Sequence, residues 1–126
     1  MKKLTREWLR KAEADLRLAK TIAREKPPLH DGVCFHCQQS AEKFLKGLLQ
    51  ERGVPVPYTH DLELLLHLAP TDIALRKLRR GLEFLSRFAV AFRYPGLQAK
   101  SRQSTASLRW AMRVRAEVRK LLGLRT

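Results

Sequence analysis

The sequence predicts an all-α protein: an antiparallel four-helix bundle with an additional short helix, in one domain covering residues 1–126. Three observations lead there. Apolar residues recur at helical spacings of three and four. Strand-like alternation is missing. Pro and Gly cluster between the periodic stretches, at Pro27-Pro28, Gly53 to Pro57 and Pro95-Gly96, with a shorter break at Pro70.

The first helix is expected from about Arg6 to Glu25, with Thr5 as its N-cap. Its apolar face is Leu9, Ala12, Leu16, Ala19 and Ala23. The second runs from about Asp31 to Arg52, with Cys34, Cys37, Ala41, Leu45 and Leu48 facing inward and Gly53 as its stop. The short helix spans about His60 to Leu68, with Thr59 at its start. A long helix then begins after Thr71 and continues to about Phe92, on the face Leu75, Leu78, Leu82, Leu85, Ala89 and Phe92. The last helix covers about Arg102 to Leu122, with Leu108, Ala111, Val118 and Leu122 inward. In the fourth helix Phe84, Phe88 and Ala91 form a second apolar stripe, read either as a wider core face or as a surface for another subunit.

Composition narrows the function. The apolar runs are far shorter than the roughly 20 residues a membrane span needs, and no apolar stretch follows the basic Met1-Lys2-Lys3 start. A cytoplasmic protein with no membrane attachment is expected. The formal net charge is +14. Residues 1–75 hold 12 basic and 10 acidic side chains, residues 76–126 hold 14 and 2. Helical geometry places Arg102, Arg109, Arg113 and Lys120 within about 40° of one another, opposite the apolar face. Arg76, Arg80 and Arg87 line up in the same way on the preceding helix. Two outward basic stripes with almost no acidic partners favour an anionic partner: nucleic acid, nucleotide or an acidic protein.

Catalytic signals are sparse. Cys34-Phe35-His36-Cys37 holds three metal-capable side chains, but Cys34 and Cys37 share a helix face that His36 does not. No second Cys-rich element supplies further ligands, so two buried thiols are expected, with no metal and no cofactor. An i, i+3 disulfide on a helix has poor geometry. Gln38 is expected half-buried and hydrogen-bonded, Glu42 and Lys46 form an i, i+4 pair, and Gly47 marks close helix packing. His60-Asp61 opens the short helix, where capping is the expected role.

Four stretches together resemble the HEPN domain (higher eukaryotes and prokaryotes nucleotide-binding), in its stand-alone prokaryotic form. They are Trp8 with Ala14-Asp15-Leu16, then Cys34-Phe35-His36-Cys37-Gln38-Gln39-Ser40-Ala41-Glu42-Lys43 with Leu45-Lys46. Thr59-His60-Asp61-Leu62 with Leu65 and Arg93-Tyr94-Pro95-Gly96 complete the set. The resemblance implies a helical bundle, a homodimer, and pairing with a minimal nucleotidyltransferase in a toxin–antitoxin-like couple. It also implies a surface for nucleotide or RNA. The positions it marks are His36, Gln39, Lys43, His60, Asp61, Arg93 and Tyr94. Lys43 and Arg93 would engage phosphate and Tyr94 would stack on a base. Ribonucleolytic members use an Arg followed shortly by a His. No His follows Arg93 here, and Arg24 and His30 straddle the Pro27-Pro28 connection. The reading is therefore a non-catalytic binding module. The alternatives are a metal-independent ribonuclease, with His60 or His36 as base and Arg93 as phosphate stabiliser, and a purely structural interaction protein.

Overall fold

The computed structural model describes residues 1–69 and 72–126; the break expected at Pro70 lies outside them, while the helix expected after Thr71 starts at Ile73 with Asp72 as its N-cap. Among the described residues six α-helices follow in order: α1 (Lys3–Ala23), α2 (His30–Glu51), α3 (Leu62–Leu68), α4 (Ile73–Arg76), α5 (Arg79–Ser86) and α6 (Ser101–Leu121). One 3₁₀ turn, Arg87–Ala89, extends α5. Among the described residues there is no strand. No helix is long and apolar enough to cross a membrane.

The bundle is built around α2. Of its 22 residues 13 are buried, including Gln38, Ser40, Glu42 and Lys46. A helix buried nearly all round has neighbours on most sides. α1 lies antiparallel to it: Thr5 reaches Glu51, the Ser40 hydroxyl donates to the Ala12 carbonyl at 2.9 Å, and Ile22 lies beside Gly32. α6 runs in the same direction as α2, since His30 meets Ser104 and Cys34 meets Ser107. α5 packs across both.

Several expectations change in detail. Thr5 is not an N-cap. Lys2 takes that place, α1 starts at Lys3, and the buried Thr5 hydroxyl donates to Glu51 Oε1 at 2.9 Å, tying the start of α1 to the end of α2. Glu51 also accepts from the Lys2 backbone N–H, and that bond, foremost, lowers its pKa. The short helix is capped by Asp61, which accepts from the N–H groups of Glu63 and Leu64; Thr59 in turn accepts from the Asp61 N–H.

The expected long fourth helix is interrupted. It breaks at Lys77–Leu78 and tightens into the 3₁₀ turn from Arg87. The first break falls among Arg76, Lys77, Arg79 and Arg80. A continuous helix would hold these as repelling i, i+3 and i, i+4 pairs. Leu75, Leu78, Leu82, Leu85 and Ala89 are buried all the same. Phe88 is buried with Cys34 and Ala99, and Phe84, Ala91 and Phe92 pack around it, so the second apolar stripe serves an internal cluster.

The inward face of α6 is Ser104, Ser107, Ala111, Val114 and Val118, and Leu108 is only partly buried. Small residues at its start let α6 approach α2 closely. Glycine does the same twice more. A Cβ on Gly47 would lie 3.2 Å from Leu9 Cδ2 and 3.3 Å from Trp8 Cβ. A Cβ on Gly81 would fall inside the Trp110 indole. Gly81→Ala is therefore expected to lower stability by about 1–3 kcal/mol in urea melts followed by Trp fluorescence. Gly47→Ala should cost less, because its milder crowding against Leu9 and Trp8 is offset by about 1 kcal/mol of gained helix propensity.

Candidate functional site

Polar side chains on α2 meet two carboxyl-centred clusters, one towards α1 and one towards α3. On the α1 side Asp15 accepts from Lys43 Nζ and from His36 Nδ1 at 2.9 Å. On the α3 side Glu42 accepts from Lys46 Nζ at 3.0 Å and from His60 Nδ1 at 2.7 Å. Gln38 Nε2 donates to Glu42 at 3.3 Å and to the His60 carbonyl at 3.1 Å. Gln39 donates to Gln38 Oε1 at 2.6 Å, adding its side chain to that cluster. Both carboxylates only accept, so each imidazole carries its proton on Nδ1 and leaves Nε2 free. The His60 side chain is 60% exposed while that of Glu42 is 5% exposed.

Glu42 and Lys46 thus form a buried ion pair rather than a solvated surface pair. The Lys46 ammonium also lies 5.6 Å from the centroid of the Trp8 ring, a cation–π contact that helps compensate its lost hydration. Gln38, expected half-buried, is fully buried and bonded.

The third part of the site is the segment after α5. The Arg93 guanidinium sits 5.9 Å from the Phe35 ring centroid, and Phe35 stands edge-on to His36 at 5.1 Å. Asp31, Gly32, Phe35, Phe88, Phe92 and Arg93 line a cleft of about 330 Å³. Aromatic walls suit a flat ligand, with the Arg93 guanidinium and the Asp31 carboxylate, which accepts from the Ala99 N–H, at the lining. Tyr94 beside it is 69% exposed. Arg93 and His60 attach to α2 at Phe35 and Glu42, seven residues and roughly 10 Å apart along the axis.

The marked positions therefore fall into distinct settings. His36 and Lys43 share Asp15, Gln39 and His60 join the Glu42 network, and Arg93 and Tyr94 belong to the cleft segment. The Asp61 carboxylate caps α3. Arg76, Arg80, Arg87, Arg102, Arg109, Arg113 and Lys120 are all exposed. The first three stand on α4, on α5 and in the 3₁₀ turn, so they do not share one continuous helix face. The aromatic cleft has no signature in the sequence, because Phe88 and Phe92 meet Phe35 only through the fold.

The HEPN domain matches residues 5–121. This chain belongs to the HEPN family. Its structure is similar to that of TT1696 from Thermus thermophilus, with 26% identity, a TM-score of 0.79, and 92% of this chain and 96% of that one covered. It is also similar to ST0689, an archaeal HEPN homologue, with 25% identity, a TM-score of 0.76, and coverage of 97% and 99%. A comparison with curated proteins gave no match.

In this HEPN domain the Cys34–Cys37 run points its side chains apart. The Ser107 hydroxyl donates to Cys34 Sγ at 3.4 Å, Cys37 is buried, and His36 is turned to Asp15. His30, at the start of α2, bonds Ser104. The Ser104 hydroxyl proton is already given to the Ser101 carbonyl, so His30 Nδ1 is the donor.

Burial pushes both thiols above their ordinary value of 9.0. They should resist alkylation at neutral pH in the native protein and react once it unfolds. The thiol contribution to stability is complete below the unfolded-state value. Above it the unfolded chain loses protons that the folded chain retains, so stability should fall as pH rises past about 9. Chemical denaturation at stepped pH, compared with a Cys34→Ala/Cys37→Ala variant, measures this contribution.

Lys46→Met leaves the buried Glu42 carboxylate without its ammonium. It is expected to destabilise by about 3–5 kcal/mol. Glu42→Gln in the same chain should recover much of that loss, which a double-mutant cycle on urea midpoints would measure.

Proposed function

We propose that this HEPN protein is a nucleotide- or RNA-binding module that acts without catalysis, as a homodimer paired with a minimal nucleotidyltransferase in a toxin–antitoxin-like couple. The observation that carries the binding reading is the distribution of charge. Salt bridges among the described residues occupy Lys43, Lys46, Arg79, Arg115 and Arg119. Among the described residues the other exposed cations of α4, α5 and α6 have no such partner, and only Glu83 and Glu117 are acidic in residues 76–126. The aromatic cleft beneath Arg93 adds a place for a base, with Tyr94 next to it as a second stacking surface. Likeness to ST0689, an archaeal HEPN homologue, over nearly the whole of both chains supports the HEPN frame of this reading.

A second reading, a metal-independent ribonuclease, is favoured by one detail. Buried Glu42 holds the His60 ring by Nδ1 and leaves Nε2 exposed, the arrangement a general base for a ribose hydroxyl requires. Arg93 would stabilise the phosphate in that reading.

Binding of a single-stranded RNA is expected to weaken steeply with salt. Arg109→Gln/Arg113→Gln should weaken it for all sequences alike and flatten the logarithmic salt slope by about one unit per cation lost. Arg93→Ala should weaken it further. No retention of RNA or nucleotide at low salt would favour a protein-interaction module instead. Cleavage of mixed RNA that disappears in both His60→Ala and Arg93→Ala would replace the binding reading with the enzyme. Co-expression with the product of a neighbouring nucleotidyltransferase gene tests the pairing, and sedimentation tests the dimer.

A further inference from the structure

A second concave site lies between α1 and α6, away from the aromatic cleft. Glu13, Leu16, Arg17, Lys20, Arg24 and Arg115 border a groove of about 300 Å³. Arg17, Lys20 and Arg24 come from α1 and its C-cap at spacings of three and four, so they project from one side of the helix. Arg115 closes the groove from α6. The carboxylate at its border is already neutralised: Glu13 accepts from Arg115 Nε at 2.7 Å and from Arg119 Nη1 at 3.1 Å. Arg115 is also held through Nη1, which donates to the Thr126 carbonyl at 2.8 Å and leaves Nη2 as a fixed donor. The buried Leu16 side chain forms an apolar floor that strengthens charge interactions above it.

The negative end of the α1 dipole accounts for cations near Lys20 and Arg24. It does not account for Arg17, nearly two turns back from the end, or for Arg115 converging from another helix. No aromatic side chain lines the groove, in contrast to the Phe35–Arg93 cleft. The groove therefore lacks a stacking surface for a base and offers donors for oxyanions spaced over roughly 10 Å, the axial distance from Arg17 to Arg24. We infer that the α1–α6 groove is a binding site for a linear run of phosphates, the di- or triphosphate moiety of a nucleotide or of an RNA 5′ end. Guanidinium groups take such oxyanions bidentately.

The groove draws most of its cations from the half of the chain whose charges nearly balance, so it is independent of the outer basic faces of α4 to α6. It rests on the nucleotide-binding reading and deepens it by naming a separate site for the phosphates.

The test is calorimetric titration of the full chain with inorganic tripolyphosphate at fixed ionic strength. A single saturable site is expected. Arg17→Gln/Arg24→Gln should weaken it about tenfold or more. Lys3→Gln/Arg52→Gln removes the same charge from exposed positions at the other end of α1 and should change it less than about twofold. Thermal melts of both variants check that the fold is intact. Equal weakening in the two variants, or no saturable binding, overturns the proposal. Displacement of the probe by a nucleoside triphosphate, or by 5′-triphosphorylated but not 5′-hydroxyl RNA, supports it and identifies the source of the phosphates. Tripolyphosphate has neither base nor ribose, so its binding persists even where RNA binding by the basic faces fails.

Discussion

A charged pair in the middle of the bundle sets the terms for much of the structure. α2 is enclosed on most sides, yet it carries Gln38, Ser40, Glu42 and Lys46 inward. Removing an ion from water costs several kcal/mol unless a partner of opposite charge and further hydrogen bonds replace the lost hydration. Each of these side chains therefore dictates what must stand opposite it. Glu42 meets Lys46, Gln38 and His60, Ser40 meets a carbonyl of α1, and Lys46 meets the face of Trp8. Among the described residues no buried side-chain N or O is left without a partner. The same demand positions His60, and through it the entry into α3.

Distance between helices is governed by small residues. Gly47 admits Trp8 and Leu9, Gly81 admits Trp110, and Ser104, Ser107 and Ala111 let α6 settle on α2. Close packing of this kind makes the interior intolerant of added volume. It also fixes the carboxyl-centred clusters, because Asp15 can hold His36 and Lys43 only while α1 lies against α2.

Charge follows from the same arrangement. Asp15, Glu42, Glu13 and Glu63 are paired with cations, and Asp31, Asp61 and Asp72 hold backbone N–H groups. The acidic side chains largely serve the fold, so the basic excess remains at the surface, where it can attract anions from a distance. The Phe35–Arg93 cleft and the α1–α6 groove differ in chemistry. One pairs a guanidinium with aromatic walls, and the other gathers cations over an aliphatic floor.

The long helices α1, α2 and α6, most of the buried face of α1 and the apolar part of that of α2 were legible in local periodicity, since apolar side chains at spacings of three and four must leave water together. The polarity of the C-terminal half was legible by count, and the order of the HEPN-like stretches pointed to the family. Other features depend on partners distant in sequence. Thr5 looks like a cap until Glu51 is placed beside it, and the inward turn of Ser104 and Ser107 shows only once α6 is seen against α2. The break in the expected fourth helix at Lys77–Leu78 leaves no trace in the apolar pattern, because Leu75 and Leu78 stay buried on either side of it. Neither the burial of Glu42 and Lys46, nor the Phe35–Arg93 cleft, nor the α1–α6 groove could be read from spacing. Sequence alone determined the long helices and the sign of the surface. Tertiary structure decided which polar groups are buried and which cations converge, because burial and convergence belong to pairs of helices rather than to any one of them.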